Sequence, residues 1–312
     1  MLVNLNKVLI PARKNGYALP AFNFNNLEFL QALTEAAAET QSSIVLQTSE
    51  GAIEYMGLDY IGYMVQAAVK KIKIPLVLHL DHGKDLKLIK QVITSGYYTS
   101  VMFDGSSLPY AENIAKTQQV VKWAHAKKMS VEAELGILKG VEDKVSAADN
   151  VFTNPLQAVE FVKKTGCDAL AVAIGTSHGA YKFSGTGKLD LARLKEIAQL
   201  IKIPLVLHGA SGVPQRLLDL IKFQCEKIGD CERLGGAKGV PNAEILGAIK
   251  LGIAKINIDT DLRMAFTAGV RNTLLQDLKV FDPRKYLAPA RDAVKQVVKH
   301  KIVHVLGCNG KA

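Results

Sequence analysis

The chain alternates short apolar runs with segments in which apolar residues recur every three or four positions. The runs that predict β-strands are residues 20–24, 44–47, 76–80, 100–103, 130–133, 169–173, 205–207 and 254–258. The segments between them, such as the one that begins at Leu27, predict amphipathic helices. A strict alternation of strand and helix favours right-handed crossovers and a parallel sheet that is buried on both faces.

Eight such units are the number that closes a (β/α)8 barrel, whereas an open doubly wound sheet usually has fewer strands and a glycine-rich phosphate motif. The sequence contains neither GxGxxG nor GxxxxGK[ST], and no Pro-rich or Ser-rich linker divides it. We therefore predict a single α/β domain over residues 1–312, a TIM barrel with an extra C-terminal helix that ends near His300. Two connections are long, 138–153 after the fifth strand and 223–242 before the eighth, and we expect the first to be a mobile lid.

Composition excludes several classes of protein. No apolar stretch approaches the ~18 residues of a membrane helix, and the N-terminus lacks the core of a signal peptide. The four cysteines, Cys167, Cys225, Cys231 and Cys308, form no CxxC pair, so we expect reduced thiols in a cytoplasmic protein. The net charge is +10, but most lysines and arginines are spread at helical spacing among acidic residues, which argues against a nucleic-acid site. A positive field of this kind would also attract a small anionic substrate.

A polar side chain suited to catalysis or binding stands at the end of every predicted strand. In barrels the reactive groups lie at the carboxyl ends of the strands. In chain order these residues are Asn23, Ser49, Asp81 with His82, Asp104, Glu134, His178, His208, and Asn257 with Asp259. Each of them alone also suits a helix cap, and for Ser49 and Asp104 that alternative stays open.

Three of these residues, His82, His178 and His208, suit a single divalent metal ion. Three protein ligands leave positions for substrate, as in catalytic zinc sites, although imidazole also binds other borderline metals. Such an ion acts as a Lewis acid on a bound carbonyl. Asp81 is then a candidate proton donor or acceptor for a substrate hydroxyl, and His79 is either a partner of the site or a core residue.

Three turns near the later strands predict phosphate binding. They span residues 175–182, 208–212 and 257–260, and the first two contain glycine. Small residues let backbone N–H groups approach an anion, and barrels often bind phosphate around their last two strands. Lys182, Ser211 and Thr260 add side-chain donors beside these turns.

The chain resembles the class II, metal-dependent fructose-bisphosphate aldolases in the motifs HLDHG, FDGSSLPYAEN, VEAELG, GVEDKV, AIGTSHGAYKF, LVLHGASG and INIDTDLR. The resemblance extends from AFNFNN near the N-terminus to DPRKY near the C-terminus. It implies reversible cleavage of fructose 1,6-bisphosphate to dihydroxyacetone phosphate and glyceraldehyde 3-phosphate, in glycolysis and gluconeogenesis. It also implies a cytoplasmic homodimer or homotetramer with no nucleic-acid or membrane partner.

By the same resemblance, His82, His178 and His208 would bind a catalytic Zn²⁺ that polarises the ketone and stabilises the enediolate. Asp104 and Glu134 match positions that hold a second or displaced metal in relatives. A monovalent cation, Na⁺ or K⁺, is a further cofactor that the resemblance implies.

The resemblance implies two proton-transfer residues, Asp81 at the hydroxyl beside the scissile bond and Glu142 on the dihydroxyacetone phosphate half. The residues implied in substrate binding are Asn23, Ser49, Gly179, Lys182, Gly209, Ser211, Asn257, Asp259, Thr260 and Arg284. Arg284 matches an arginine that reaches the distal phosphate in the neighbouring subunit. The chain departs from many relatives at Ile137 and Lys139, which follow ELG where those relatives carry arginine.

Three alternative functions stay open. Tagatose-bisphosphate aldolases share the metal and the mechanism, although Asp259 and Thr260 resemble the fructose type. A Schiff-base aldolase needs a lysine inside the barrel; the sixth strand has none, and Lys255 in the eighth strand suits a structural role equally well. A remote alternative is a nucleic-acid-binding or scaffolding protein, because fold alone does not determine function.

Overall fold

The computed structural model describes residues 1–142, 145–147, 150–178, 187–229 and 239–312, with the backbone alone for 139–142, 145–147 and 178. The strands in chain order are β1 (Leu19–Asn23), β2 (Ile44–Thr48), β3 (Leu76–Gly83), β4 (Ser100–Phe103), β5 (Ser130–Leu135), β6 (Lys139–Glu142), β7 (Val145–Ala147), β8 (Ala169–Val172), β9 (Ser177–His178), β10 (Leu205–Leu207) and β11 (Ile253–Ile258). Eight of them close into a barrel of parallel strands in the order β1-β11-β10-β8-β5-β4-β3-β2. The predicted TIM barrel is therefore confirmed.

Helices cover the outside of this barrel. In the described part of the chain they are α1 (Asn6–Asn15), α2 (Leu27–Glu39), α3 (Glu50–Met56), α4 (Leu58–Lys70), α5 (Leu86–Ser95), α6 (Tyr110–His125), α7 (Pro155–Thr165), α8 (Leu191–Leu200), α9 (Gln215–Ile228), α10 (Asn242–Lys250), α11 (Thr260–Gln276) and α12 (Pro283–His300). Their apolar residues recur at helical spacing and are buried against the strands, as with Ile89, Val92 and Ile93 of α5. The predicted C-terminal helix is confirmed as α12, and a π-helical turn, Lys301–Val305, follows it.

All eight predicted strands are present, with ends that differ from the prediction by at most three residues. The largest difference is at β3, which continues through Asp81 and His82 to Gly83. Its register against β4 shifts between Leu80 and Gly83, and His82 has a positive φ of 47°. Consecutive side chains of a regular strand point to opposite faces, and a bulge re-aims one of them. This irregularity lets Asp81 and His82 face the same mouth of the barrel.

The two long connections differ from the prediction. Residues 138–153 include the antiparallel pair β6 and β7, and β6 also pairs with β9 in parallel. The connection predicted over 223–242 is wrong at its start, because α9 continues to Ile228 and buries Cys225 against α11. Helix α1 was not predicted, since its sequence has a weak apolar pattern and Pro11 in its middle; it contacts β1 and β11.

The inside of the barrel is unusually polar toward one end. Residues two apart in a strand share a face, and Glu132 with Glu134 and Lys255 with Asn257 are all buried. The interiors of such barrels are usually filled by branched apolar side chains. Ionic groups in this position therefore mark where the chemistry of the molecule lies.

No helix in the described ranges is long and apolar enough to cross a membrane. The prediction of four reduced cysteines is wrong for Cys225, which is disulfide-bonded. Cys167 and Cys308 are free and buried, and Cys231 lies outside the described residues.

Candidate functional site

Two of the three predicted histidine ligands meet at the carboxyl end of the barrel. The His82 ring belongs to the irregular end of β3, and His208 directly follows β10 on the other side of the barrel. Nε2 of His82 lies 2.8 Å from Nδ1 of His208. Of His178 the structure describes only the backbone, in β9, where it pairs with Gly140 of β6.

A carboxylate lies beside the histidine pair. One oxygen of Asp81 and one ring nitrogen each of His82 and His208 lie within 4.8 Å of one another, and all three residues are buried. Imidazole nitrogen and carboxylate oxygen are the donors that borderline divalent metals prefer in open catalytic sites. The two imidazoles therefore suit the divalent metal that the sequence predicts, and the Asp81 carboxylate lies beside them, where an acid/base is expected.

A second group shares one histidine with the first. Nδ1 of His82 lies 3.0 Å from Oδ2 of Asp104 and 3.7 Å from Oε2 of Glu134. The three ligand atoms lie within 4.8 Å of one another, and Glu134 Oε2 is buried without a hydrogen-bond partner. The carboxylates predicted to hold a second or displaced metal are thus brought together with His82.

Burial and neighbouring charge set the protonation of this region. Burial disfavours the charged form of His82, but the carboxylates of Asp81, Asp104 and Glu134 outweigh it and raise the pKa of the ring well above its ordinary value. Burial and the nearby charge of Asp104 raise the pKa of Glu134 well above the usual range. Burial and the charge on His82 lower the pKa of His208, which keeps this ring neutral, the form that binds a metal. The surrounding carboxylates therefore stabilise positive charge at the His82 ring, and a metal ion bound there would take the place of its proton.

Asparagine side chains hold Asp81 in place. Nδ2 of Asn23 donates to Oδ2 of Asp81 at 2.9 Å, and Nδ2 of Asn257 donates to Oδ1 at 2.9 Å. Gln47 in turn donates to Asn23 Oδ1 at 2.7 Å. Sequence reasoning assigned both asparagines to the sugar chain and missed Gln47; the structure shows that all three belong to the surroundings of Asp81.

A buried ionic cluster lies beneath the histidines; sequence reasoning named its members His79 and Lys255 but missed Glu132. Glu132 Oε1 lies 2.7 Å from His208 Nε2, and its Oε2 lies 2.9 Å from Nζ of Lys255. Burial lowers the pKa of His79 to about 3, so this ring is neutral, and its Nδ1 hydrogen-bonds to Ser100. The only local signal for the cluster was a charged residue inside an apolar strand.

Lys255 lies in a buried ion pair inside the barrel. Its Nζ donates to Asn257 Oδ1 at 2.8 Å in addition to its contact with Glu132. A Schiff-base lysine needs an uncharged amine, which a carboxylate partner opposes. The surroundings of Lys255 therefore favour a structural role over a nucleophilic one.

The predicted phosphate turns are described in part. Gly209 has a φ of 60°, and a Cβ at this position would lie 2.5 Å from the carbonyl oxygen of Ser177. Ser211, two residues after Gly209, is buried. Thr260 begins the 17-residue helix α11, whose N-terminus carries partial positive charge. Gly179 and Lys182 lie outside the described residues.

The remaining predicted residues differ in their surroundings. Ser49 is buried and caps α3, its Oγ accepting from the Ala52 amide, so the capping alternative is present in the structure. Oδ1 of Asp259 accepts from Arg263 at 2.7 Å. Arg284, with 89% of its side chain exposed, pairs with Asp282, the residue that caps the N-terminus of α12. The side chain of Glu142 lies outside the described part.

Comparisons with known proteins agree with this geometry. The family model "Fructose-bisphosphate aldolase class-II" matches residues 3–311. A fructose-bisphosphate aldolase from Thermus caldophilus is 48% identical over 100% of both chains, and one from Helicobacter pylori is 47% identical over 97% of each. The crystal structure of an aldolase from Escherichia coli K12 is similar, with a TM-score of 0.79 and 30% identity over 100% of both chains. The chain belongs to the class II fructose-bisphosphate aldolase family, whose members are metal-dependent carbon–carbon lyases.

Proposed function

We propose that this protein cleaves fructose 1,6-bisphosphate reversibly into dihydroxyacetone phosphate and glyceraldehyde 3-phosphate, with Zn²⁺ as its metal. Family membership implies a divalent metal and a phosphorylated sugar as substrate. The observation that carries the proposal is the meeting of Asp81 with His82 and His208, whose ligand atoms lie within 4.8 Å of one another.

In this proposal His82, His178 and His208 hold the zinc ion, and Asp104 and Glu134 offer an alternative or second position. The ion supplies Lewis-acid chemistry: it polarises the substrate ketone and stabilises negative charge that develops on oxygen. Two observations support this assignment: the lowered pKa of His208 and the excess of buried carboxylates around His82. Na⁺ or K⁺ is proposed as an accompanying monovalent cation.

Asp81 is proposed as the acid/base. As the carbon–carbon bond breaks, its carboxylate takes the proton of the hydroxyl that becomes the aldehyde. The hydrogen bonds from Asn23 and Asn257 occupy one direction at each oxygen and hold the carboxylate in a single orientation. Glu142 is proposed to deliver the proton that neutralises the dihydroxyacetone phosphate half.

The proposed phosphate and sugar contacts follow the turns at the same mouth. They are made by Asn23, Ser49, Gly179, Lys182, Gly209, Ser211, Asn257, Asp259 and Thr260. Arg284 is proposed to reach the distal phosphate of a neighbouring subunit, and its exposure supports this role. Because this role needs a neighbouring subunit, we also propose a homodimer or homotetramer. We further propose that the protein is cytoplasmic and that residues 1–312 form a single domain.

A coupled cleavage assay with fructose and tagatose 1,6-bisphosphates, before and after treatment with EDTA, tests this function. We expect cleavage of the fructose epimer, its loss in EDTA, and its return when Zn²⁺ is added. Faster cleavage of tagatose 1,6-bisphosphate would contradict the substrate, and cleavage that resists EDTA would contradict the metal.

A further inference from the structure

Lys255 and Glu132 form a fully buried ion pair across the inside of the barrel. Nζ lies 2.9 Å from Oε2 and 3.2 Å from Oε1 of the carboxylate, and both side chains have no exposed surface. Their strands, β11 and β5, are not neighbours in the sheet, so the pair spans the interior. Two buried charges lose their hydration, and apolar side chains of similar volume are often at least as stabilising. Stability alone therefore does not account for this pair.

The carboxylate has a second partner in the proposed metal ligand. Oε1 of Glu132 lies 2.7 Å from Nε2 of His208. A carboxylate accepts hydrogen bonds, so Nε2 of His208 carries the proton and its Nδ1 is left with a lone pair. That Nδ1 faces His82 Nε2 at 2.8 Å. Metal-binding histidines commonly donate their other N–H to a carboxylate, which sets the tautomer and the orientation of the ring.

The ammonium also has a second partner, next to the proposed acid/base. Nζ of Lys255 donates to Oδ1 of Asn257 at 2.8 Å, which determines which end of this amide is the oxygen. The NH₂ end of Asn257 then donates to Oδ1 of Asp81 at 2.9 Å. One buried ammonium is thus linked through a single intervening side chain to Asp81 and, through Glu132, to His208.

We infer that Lys255 and Glu132 are positioning residues that orient the metal ligand His208 and the acid/base Asp81 together. The inference rests on the proposed roles of these last two residues. Glu132 presents Nδ1 of His208 to the metal, and Lys255 keeps Glu132 and Asn257 in the orientation that this requires. The ion pair thereby couples the geometry of the metal ligand to that of the proton-transfer group.

The test measures zinc affinity of the full-length protein by competition with a chromophoric chelator, and kcat and KM at saturating zinc. Glu132→Leu removes the acceptor for His208, and we expect zinc affinity to fall roughly 10–100-fold. Glu132→Gln keeps an oxygen that accepts from Nε2, so its loss should be smaller. Lys255→Met should lower kcat roughly 10–100-fold at saturating zinc, with KM changed far less.

The matched control is Gln224→Leu, which removes a buried polar side chain that donates to Ala268 O at 2.9 Å, between α9 and α11. We expect its zinc affinity and kcat to equal those of the native protein. Native zinc affinity in Glu132→Leu would overturn the inference. If the leucine variant does not fold, native zinc affinity in Glu132→Gln together with native kcat in Lys255→Met would overturn it. A native protein that does not retain zinc against the chelator would overturn the metal site itself, which separates the two failures.

Discussion

The rings of His82 and His208 meet edge to face, with their planes at 85° and their centroids 4.5 Å apart. Nε2 of one ring lies 2.8 Å from Nδ1 of the other. Two nitrogen lone pairs at this distance repel unless a proton or a metal ion lies between them. A proton on one of the two nitrogens makes this contact a hydrogen bond, and a bound metal ion would take the place of that proton. The pair therefore responds differently with and without metal, which can be tested directly.

Zinc should stabilise the folded protein through this pair. A ligand that binds only the folded state at about 100 times its Kd adds about 2.7 kcal/mol to the free energy of unfolding. We expect Zn²⁺ to raise the Tm of EDTA-treated protein, and His208→Leu to abolish most of this rise. Thermal unfolding by circular dichroism, with and without Zn²⁺, measures it. His125→Leu, at a half-exposed histidine that pairs with Asp168, is the control and should keep the rise. An equal rise in both variants would argue against His208 as a ligand.

Asp81→Ala should separate catalysis from metal binding. Removing a general acid/base typically lowers the rate roughly 10²–10⁴-fold, and three histidines would still hold the metal. We expect cleavage to fall by this factor while zinc content, measured by atomic absorption, is unchanged. Asp85→Ala is the control: Asp85 caps α5 through the Lys87 amide, so its loss should cost about 1 kcal/mol of stability without lowering kcat. Equal loss of zinc and activity in Asp81→Ala would contradict its role.

Local pattern was sufficient for most of the barrel but not for its interior contacts. The strands could be predicted because short apolar runs such as 205–207 stand between turn residues and amphipathic segments. The irregular end of β3 has no local signal, yet it determines that Asp81 and His82 share a mouth. The contact between Glu132 and Lys255 joins residues 123 positions apart. Such a pairing depends on closure of the barrel, which no sequence window contains.

The two cysteines that are free in the described part of the chain, Cys167 and Cys308, should be chemically inert in the native protein. Burial raises the pKa of Cys167 and of Cys308 to about 12. A raised pKa keeps the thiol protonated at pH 8, and the thiolate is the reactive form. We expect neither residue to react with Ellman's reagent within the minutes in which urea-unfolded protein reacts fully. Peptide mass spectrometry identifies the labelled residue: fast labelling of Cys308 in the native protein would contradict its burial, and fast labelling of Cys167 would contradict the burial of Cys167.

Removing one partner of the buried pair of Lys301 and Asp261 should strongly destabilise the protein. Nζ of Lys301 lies 2.7 Å from Asp261 Oδ2 and donates to the Gly212 carbonyl at 2.7 Å. Lys301→Met leaves a buried carboxylate without its counter-charge, which typically costs about 3–5 kcal/mol. Lys301→Met/Asp261→Leu removes both charges and should recover much of that loss. Urea unfolding of the single and double variants measures the difference. A double variant no more stable than the single one would show that charge imbalance is not the cause.

The turn that follows His208 should tolerate no side chain at Gly209, and Gly16 supplies the matched comparison. Both glycines have positive φ, 60° and 68°, but a Cβ on Gly16 meets no atom within 4 Å, whereas one on Gly209 lies 2.5 Å from Ser177 O. Gly16→Ala should therefore lower the free energy of unfolding only by the roughly 1–2 kcal/mol that the left-handed conformation costs a residue with a Cβ, and it should keep its activity.

Gly209→Ala must in addition move the backbone beside His208 and Ser211. Misplacement of a catalytic group by about 1 Å can lower activity about a hundredfold, so we expect kcat/KM to fall by roughly that factor. Steady-state cleavage and urea unfolding of both alanine variants distinguish the two effects. If Gly209→Ala keeps native kcat/KM, the close approach of this turn to Ser177 does not position the site. If kcat/KM falls by the same factor in Gly16→Ala, conformational strain alone is responsible.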